Sequence, residues 1–129
     1  MSAPLPPSAQ SQLTRAISDA MVTLYAAFYG HRRTTATTYI NDSIVVCVLE
    51  HILTDREDDL IERGSSGEVI DGRVAFQTRS EDEFTTAVER LTNRKVVAFM
   101  SANQTTPGVA CELFFLDAAP VSMLREDVA

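Results

Sequence analysis

The chain is poor in the residues that build most recognisable sites. Two cysteines in 129 residues do not make a disulfide framework. Cys47 and Cys111 each stand inside an apolar run, where a free thiol acts as a small buried hydrophobe; a redox or structural pair is the alternative. Two histidines, His31 and His51, lie on separate predicted loops without HExxH or Cys/His spacing, which argues against a zinc site. Glycine is equally sparse, and Gly64 and Gly67 lack the lysine and the strand-to-helix setting of a phosphate loop. Serines and threonines are numerous, but none sits in a nucleophile elbow. No stretch approaches the roughly 20 apolar residues of a membrane helix. Met1 to Pro7 has neither the positive charge nor the apolar run of a signal peptide. Positive charge is scarce: 11 Lys and Arg stand against 18 Asp and Glu, giving a net charge of −7. Such a surface repels phosphate backbones, so nucleic-acid binding is not expected. These absences predict a cytoplasmic protein with no metal, no cofactor and no catalytic signature.

What is present is enough for one domain. Apolar residues make up 45% of the chain, sufficient for a core without staples. Residues 1–9, rich in proline and serine, read as a disordered lead-in, residues 10–118 as the domain, and residues 119–129 as a tail. Leu13, Ile17, Met21, Leu24 and Phe28 recur at helical spacing, and Gly30 ends that helix. Thr34 to Ile40 and Ile44 to Leu49 read as a hairpin about Asn41-Asp42. The second strand is apolar on both faces, hence central or covered twice.

Leu53-Thr54-Asp55-Arg56-Glu57-Asp58-Asp59-Leu60-Ile61-Glu62-Arg63-Gly64 writes a whole short helix. Thr54 and Glu57 form a capping box, the carboxylates of the first turns suit the helix dipole, and Gly64 closes the end. A longer helix runs from about Glu68 to Thr92, with Val69, Phe76, Phe84, Ala87 and Leu91 as its apolar stripe. Lys95 to Met100 and Val109 to Leu116 read as strands, with Ala102 to Gly108 as the loop between them. The order α-β-β-α-α-β-β predicts an α+β fold: a four-stranded, mainly antiparallel sheet with helices on one face. The other face must meet something that accepts Val, Cys and Phe, and a second copy of the chain is the natural candidate.

These blocks resemble a bacterial family. Gly30-His31-Arg32-Arg33 follows the first helix, and an apolar strand leads into Leu53-Thr54-x-x-Glu57-x-x-Leu60. Arg73 stands on the next helix. Val88-Glu89-Arg90-Leu91-Thr92-Asn93-Arg94-Lys95-Val96-Val97-Ala98-Phe99-Met100-Ser101 completes the pattern. Over about Ala16 to Leu116 the chain is similar to the MpsC-like family, named for a proposed sodium-translocating, membrane-potential-generating system. Two positions depart from the family's pattern. Asn93 replaces a glycine, and asparagine also tolerates a left-handed backbone. Arg32-Arg33 stand where Gly-Pro is common. The resemblance implies a role beside a membrane system moving ions or inorganic carbon, and it carries no catalytic residues.

Two places are candidates for binding. On a helical wheel Arg73 falls inside the apolar stripe, between Phe76 and Phe84. A charge there needs a partner or a way out to water. Near the start of the helix, Arg73 can pack its stem and snorkel out to water, which is the first reading; a buried ion pair, with Glu112 among Ala110, Phe114 and Leu116 as one possible partner, is the second, and ligand or partner recognition the third. His31, Arg32 and Arg33 form the only dense basic cluster, readable as an anion site or as a cation cap at a helix C-terminus. The expected function is a non-enzymatic accessory or regulatory protein that forms a homodimer and binds a membrane transport complex without inserting into the membrane. A small-anion sensor is the second reading, and an enzyme of undescribed chemistry the third.

Overall fold

Local signals in the sequence account for most of the element ends. The computed structural model describes residues 5–121. Its elements are α1 (Pro7–Tyr29), β1 (Thr35–Asn41), β2 (Ile44–Glu50), α2 (Asp55–Glu62), α3 (Ser66–Thr92), β3 (Val96–Thr105) and β4 (Gly108–Leu116). This is the α-β-β-α-α-β-β order expected. Proline in its first turn starts α1, since a residue without an N–H costs nothing there. The left-handed Gly30 (φ 77°) ends it. Asn93, also left-handed (φ 55°), ends α3, a backbone conformation asparagine tolerates. At the end of α2, Gly64 N–H donates to Ile61 O and Ser65 N–H to Leu60 O, the paired bonds of a Schellman close.

Helix α2 has the capping box its sequence spells. Glu57 N–H donates to Thr54 Oγ1 at 3.1 Å, and Thr54 N–H donates to Glu57 Oε1 at 2.9 Å. Thr54→Ala is expected to cost about 1 kcal/mol. Thermal denaturation followed by circular dichroism would measure it, and an unchanged midpoint would show that Arg73, described below, holds the helix start unaided.

The four strands lie in the order β1-β2-β4-β3, with every neighbouring pair antiparallel. The central position of β2 is thus as expected, and β1 and β3 are the edges. Alternation along the strands sends Val45, Cys47, Leu49, Ala110, Glu112, Phe114 and Leu116 toward α1 and α3, where they are buried. They meet Leu13, Ile17, Met21 and Tyr25 of α1 and Phe76, Phe84 and Val88 of α3. Cys47 and Cys111 are free; their strand positions give them opposite faces of the sheet, which excludes their pairing within one chain. Burial pushes the Cys47 thiol up to about 12, so it is unreactive.

The structure corrects four expectations. Residues 7–9 belong to α1 and Leu5 packs on the core, so the disordered lead-in does not extend to residue 9; residues 1–4 lie outside the described part. The buried row of α1 passes through Tyr25, while Phe28 is about half exposed. Successive steps of four from Leu13 reach Tyr25, whose hydroxyl finds a partner inside. The stripe of α3 runs through Val88 and Thr92, with Ala87 and Leu91 only partly buried. Finally, β3 continues through Ala102–Thr105. That polar stretch lacks the hydrophobic signature of a strand, but it pairs with β4 down to Thr105↔Gly108. Of the tail, residues 119–121 are anchored: Arg94 Nε donates to Ala119 O at 2.6 Å and Val121 N–H to Thr92 O at 2.8 Å. The rest of it lies outside the described residues.

Candidate functional site

Two polar assemblies lie in or beside the core. The first is built around the linker from β2 to α2. His51 takes a left-handed turn (φ 57°), which exposes three successive carbonyls to the loop after α1. Thr34 Oγ1 donates to His51 O at 3.3 Å, His31 Nε2 bonds Ile52 O at 3.2 Å, and Arg33 Nη2 donates to Leu53 O at 3.0 Å. His31 Nδ1 accepts from Arg33 N–H, which leaves Nε2 as the protonated nitrogen that donates. Arg33 also meets Asp55 at 3.4 Å, an exposed pair of little energetic weight. Arg32 is exposed. The basic cluster therefore splits: His31 and Arg33 brace the linker, and the exposed Arg32 makes no hydrogen bond or ion pair to it.

Arg73 completes the brace from below. It is 1% exposed, so it does not snorkel. Its partner is Glu57, not Glu112 as the sequence suggested. Arg73 Nε donates to Glu57 Oε2 at 2.8 Å and Nη2 to Glu57 Oε1 at 2.5 Å, a bidentate pair. Nη2 also donates to Ile52 O at 2.6 Å. The Tyr29 ring covers the guanidinium, with its centroid 3.6 Å from Cζ. Nη1 is the one buried side-chain nitrogen or oxygen without a hydrogen bond among the described residues, so the ring face is what compensates it. Burial of Tyr29 raises its phenol to about 12. Glu57 thus serves twice, in the cap of α2 and as counter-ion for α3. Only the three-dimensional path of α3 under the linker could show that second role.

The second assembly is a polar layer through the centre of the sheet. Thr38, Cys47, Glu112 and Ser101 are register partners in one row across all four strands, on the helix side. Apolar rows flank it on one side with Ile40, Val45, Phe114 and Phe99, and on the other Leu49 and Ala110 adjoin it. Ser18 of α1 bonds Thr38 at 2.8 Å. Glu112 is fully buried and takes three neutral donors. Tyr25 Oη donates to Oε2 at 2.5 Å, Gln77 Nε2 donates to Oε2 at 2.9 Å, and the Ser101 hydroxyl bonds Oε1. Gln77 exchanges amide bonds with Asn103 behind it. No cation pairs with Glu112 among the described residues; the ion pairs there are Arg33–Asp55, Arg63–Asp59 and Arg73–Glu57. Burial therefore pushes the Glu112 carboxyl up, against the pull of its three hydrogen bonds. Burial and the nearby Glu112 also push the Tyr25 phenol far up.

The sequence singles out Arg73 and Glu112, but neither the snorkelling reading of Arg73 nor Glu112 as its possible partner is what the structure has. Sequence reasoning missed Tyr25, Gln77, Ser101 and Asn103. The available signal was polar side chains at inward positions: Gln77 beside Phe76 on the stripe of α3, and Ser101 and Asn103 alternating with Met100 and Ala102.

Arg73 is held by a carboxylate and a carbonyl with Nη1 left without a hydrogen bond, and Glu112 is held by three neutral donors. Among the described residues, no three His, Cys, Asp or Glu side chains form a group that could hold a metal ion, and no helix is long and apolar enough to cross a membrane. Neither the curated proteins nor the solved structures include a significant match to this chain. The family model described as the Na+-translocating membrane potential-generating system (MpsC) matches residues 9–118. That span takes in both polar assemblies and the whole sheet, and the chain belongs to the MpsC family.

Proposed function

We propose that the chain is a non-enzymatic accessory protein of a membrane ion-transport system, and that it works as a homodimer joined through the open face of its sheet. The family association with a Na+-translocating system supports the first half. The observation that carries the second is the composition of the face turned away from the helices.

Register places four side chains of each strand on that face. Its central rows read Asn41, Ile44, Phe115, Ala98; then Tyr39, Val46, Leu113, Met100; then Thr37, Val48, Cys111, Ala102. Tyr39 is 60% exposed and Met100 53%. Glu50, in a corner row, is the one charged member of the face. Strands about 4.8 Å apart with same-face residues about 6.8 Å apart give a footprint on the order of 500 Å². That footprint includes polar Thr35, Thr37, Asn41, Gln104 and Glu50 at its margins, around an apolar centre on β2 and β4.

A second copy fits this face for two reasons. Two-fold symmetry makes any patch available to itself, and twisted sheets pack face to face about 10 Å apart with side chains interleaved. In addition, a chain of net charge −7 repels its own copies everywhere except where charge is missing, as it is here.

Light scattering coupled to size exclusion tests the dimer. The wild-type chain is expected at twice its monomer mass. Tyr39→Glu with Met100→Glu, both at exposed positions, is expected to run as a monomer with unchanged circular dichroism. A wild-type chain that is monomeric at 100 μM would sink the dimer. Co-purification of a membrane transporter with the tagged protein from native cells tests the accessory role, and its absence in the Tyr39/Met100 variant would tie partner binding to the dimer. The sensor reading has one observation in its favour, the exposed Arg32; a thermal shift with bicarbonate or phosphate that Arg32→Ala abolishes would support it.

A further inference from the structure

Glu112 is not explained by the sheet face or by the brace around Arg73. A fully buried carboxyl with no cation beside it is costly to ionise. Replacing it with an apolar residue of similar size would remove that cost.

Its surroundings have a direction. On α1 it faces the Tyr25 phenol, with the Tyr29 phenol one turn on; on α3 it faces neutral Gln77, with Arg73 one turn back and already engaged by Glu57 of α2. On β2 it faces the Cys47 thiol, on β3 neutral Ser101. Cys111, next along its own strand, belongs to the opposite face. The phenol of Tyr25 and the thiol of Cys47 are held neutral by burial, so neither supplies a compensating charge. The polar layer approaches solvent at both ends: Thr38 lines a cavity on the α1–β1 side, but the groups bonded to Glu112 itself reach it on the α3–β3 side. There a cavity of about 180 Å³ opens between Gln77, Ser101, Val74 and Phe99, with Glu81 at its wall. Two of the three groups bonded to Glu112 therefore line a pocket open to water.

We propose that Glu112 is a proton-binding centre: its carboxyl holds one proton inside the polar layer and exchanges it with solvent through the Ser101 and Gln77 cavity. In the protonated state the Oε1–H donates to Ser101 Oγ, whose own hydrogen rotates away, while Oε2 keeps its bonds from Tyr25 and Gln77. On release the proton leaves Oε1 for water in the cavity, and the Ser101 hydroxyl turns back to donate. The carboxylate then holds three donors from α1, α3 and β3. Protonation thereby reverses the Glu112–Ser101 bond between β4 and β3 and leaves Tyr25 and Gln77 bonded to a neutral rather than a charged acceptor. Glu81 favours a cation at the cavity, which suits proton delivery.

The test is a carbon-13 NMR titration of the glutamate carboxyls in the full chain, from pH 4 to 9 in choline chloride. One glutamate is expected to titrate above all the rest, and its signal should be absent from Glu112→Gln. Ser101→Ala, which removes a bond that favours the charged form, should move that midpoint further up; this identifies the signal even if the glutamine variant folds poorly. A Glu112 midpoint among the surface carboxyls would overturn the proposal. Repeating the titration in sodium chloride separates the two cations. An unchanged midpoint supports the proton, whereas a downward shift specific to sodium would overturn it in favour of an alkali-cation site.

Discussion

Arg73→Ala should lower the melting temperature by on the order of 10 °C or more, corresponding to a loss of roughly 3–5 kcal/mol. The substitution removes a bidentate ion pair, one of the two donors to Ile52 O, and the cation under Tyr29. It leaves Glu57 largely buried with two of the three hydrogen bonds to its carboxylate gone. It also opens a hole where the largest buried side chain had been. A buried ion pair need not add net stability, since desolvation offsets much of the attraction, but removing one partner leaves the other uncompensated. Arg73→Lys should recover only part of the loss, because a point charge cannot make the two-pronged contact. Glu57→Gln separates the two roles of that residue: glutamine serves a capping box as well as glutamate does, so its cost reports the ion pair. Calorimetry on the two single variants and the double variant would give the coupling. A loss below about 1 kcal/mol for Arg73→Ala would show that the pair does not hold the linker.

Glu112→Gln should leave the chain about as stable as wild type at pH 5 and more stable at pH 8. Glutamine reproduces the neutral acid: its amide donates to Ser101 and its oxygen accepts from Tyr25 and Gln77. The folded-state carboxyl sits above its ordinary value near 4.5 because of burial. A raised value means the folded chain holds the proton more tightly than the unfolded chain does. The stabilisation from that proton is complete below about pH 4.5 and is lost as pH rises through the folded value. Across that window wild type should lose up to about 1.4 kcal/mol per pH unit relative to the glutamine variant. Taking the difference between two chains that share every other group removes the remaining titrations. Calorimetric melting temperatures at pH 5, 6, 7 and 8 would show the two curves separating. Parallel curves would mean that Glu112 keeps the same charge state throughout.

These two residues also show where sequence reading runs out. The helical wheel placed Arg73 on the buried stripe, and the alternation of β4 placed Glu112 on the helix side, because periodicity is a property of local backbone geometry. Both placements hold. Their pairing did not, because Arg73 lies one turn nearer the start of α3 than Gln77. At that height it faces the β2–α2 linker, while Gln77 faces Glu112. A helical turn advances about 5.4 Å, farther than a hydrogen bond reaches, and no sequence spacing between elements measures it. The basic cluster after Gly30 was read as a cap or an anion site. Two of its three side chains hold backbone carbonyls of a loop about twenty residues on.

By itself the sequence determined the helices and their caps, the two hairpins and the α+β order, for these follow from neighbours along the chain: Thr54 with Glu57, Gly64 and Asn93 with the turns that precede them. It also limited β2 to a central or doubly covered position, since a strand apolar at every step must be one or the other; the strand order shows it is central. The tertiary structure alone decided that β4 lies beside β2, because antiparallel pairing between distant strands is fixed by register and not by composition. That one adjacency aligns Thr38, Cys47, Glu112 and Ser101 into a polar layer on one side of the sheet. On the other it aligns Tyr39, Val46, Leu113 and Met100 into an apolar face.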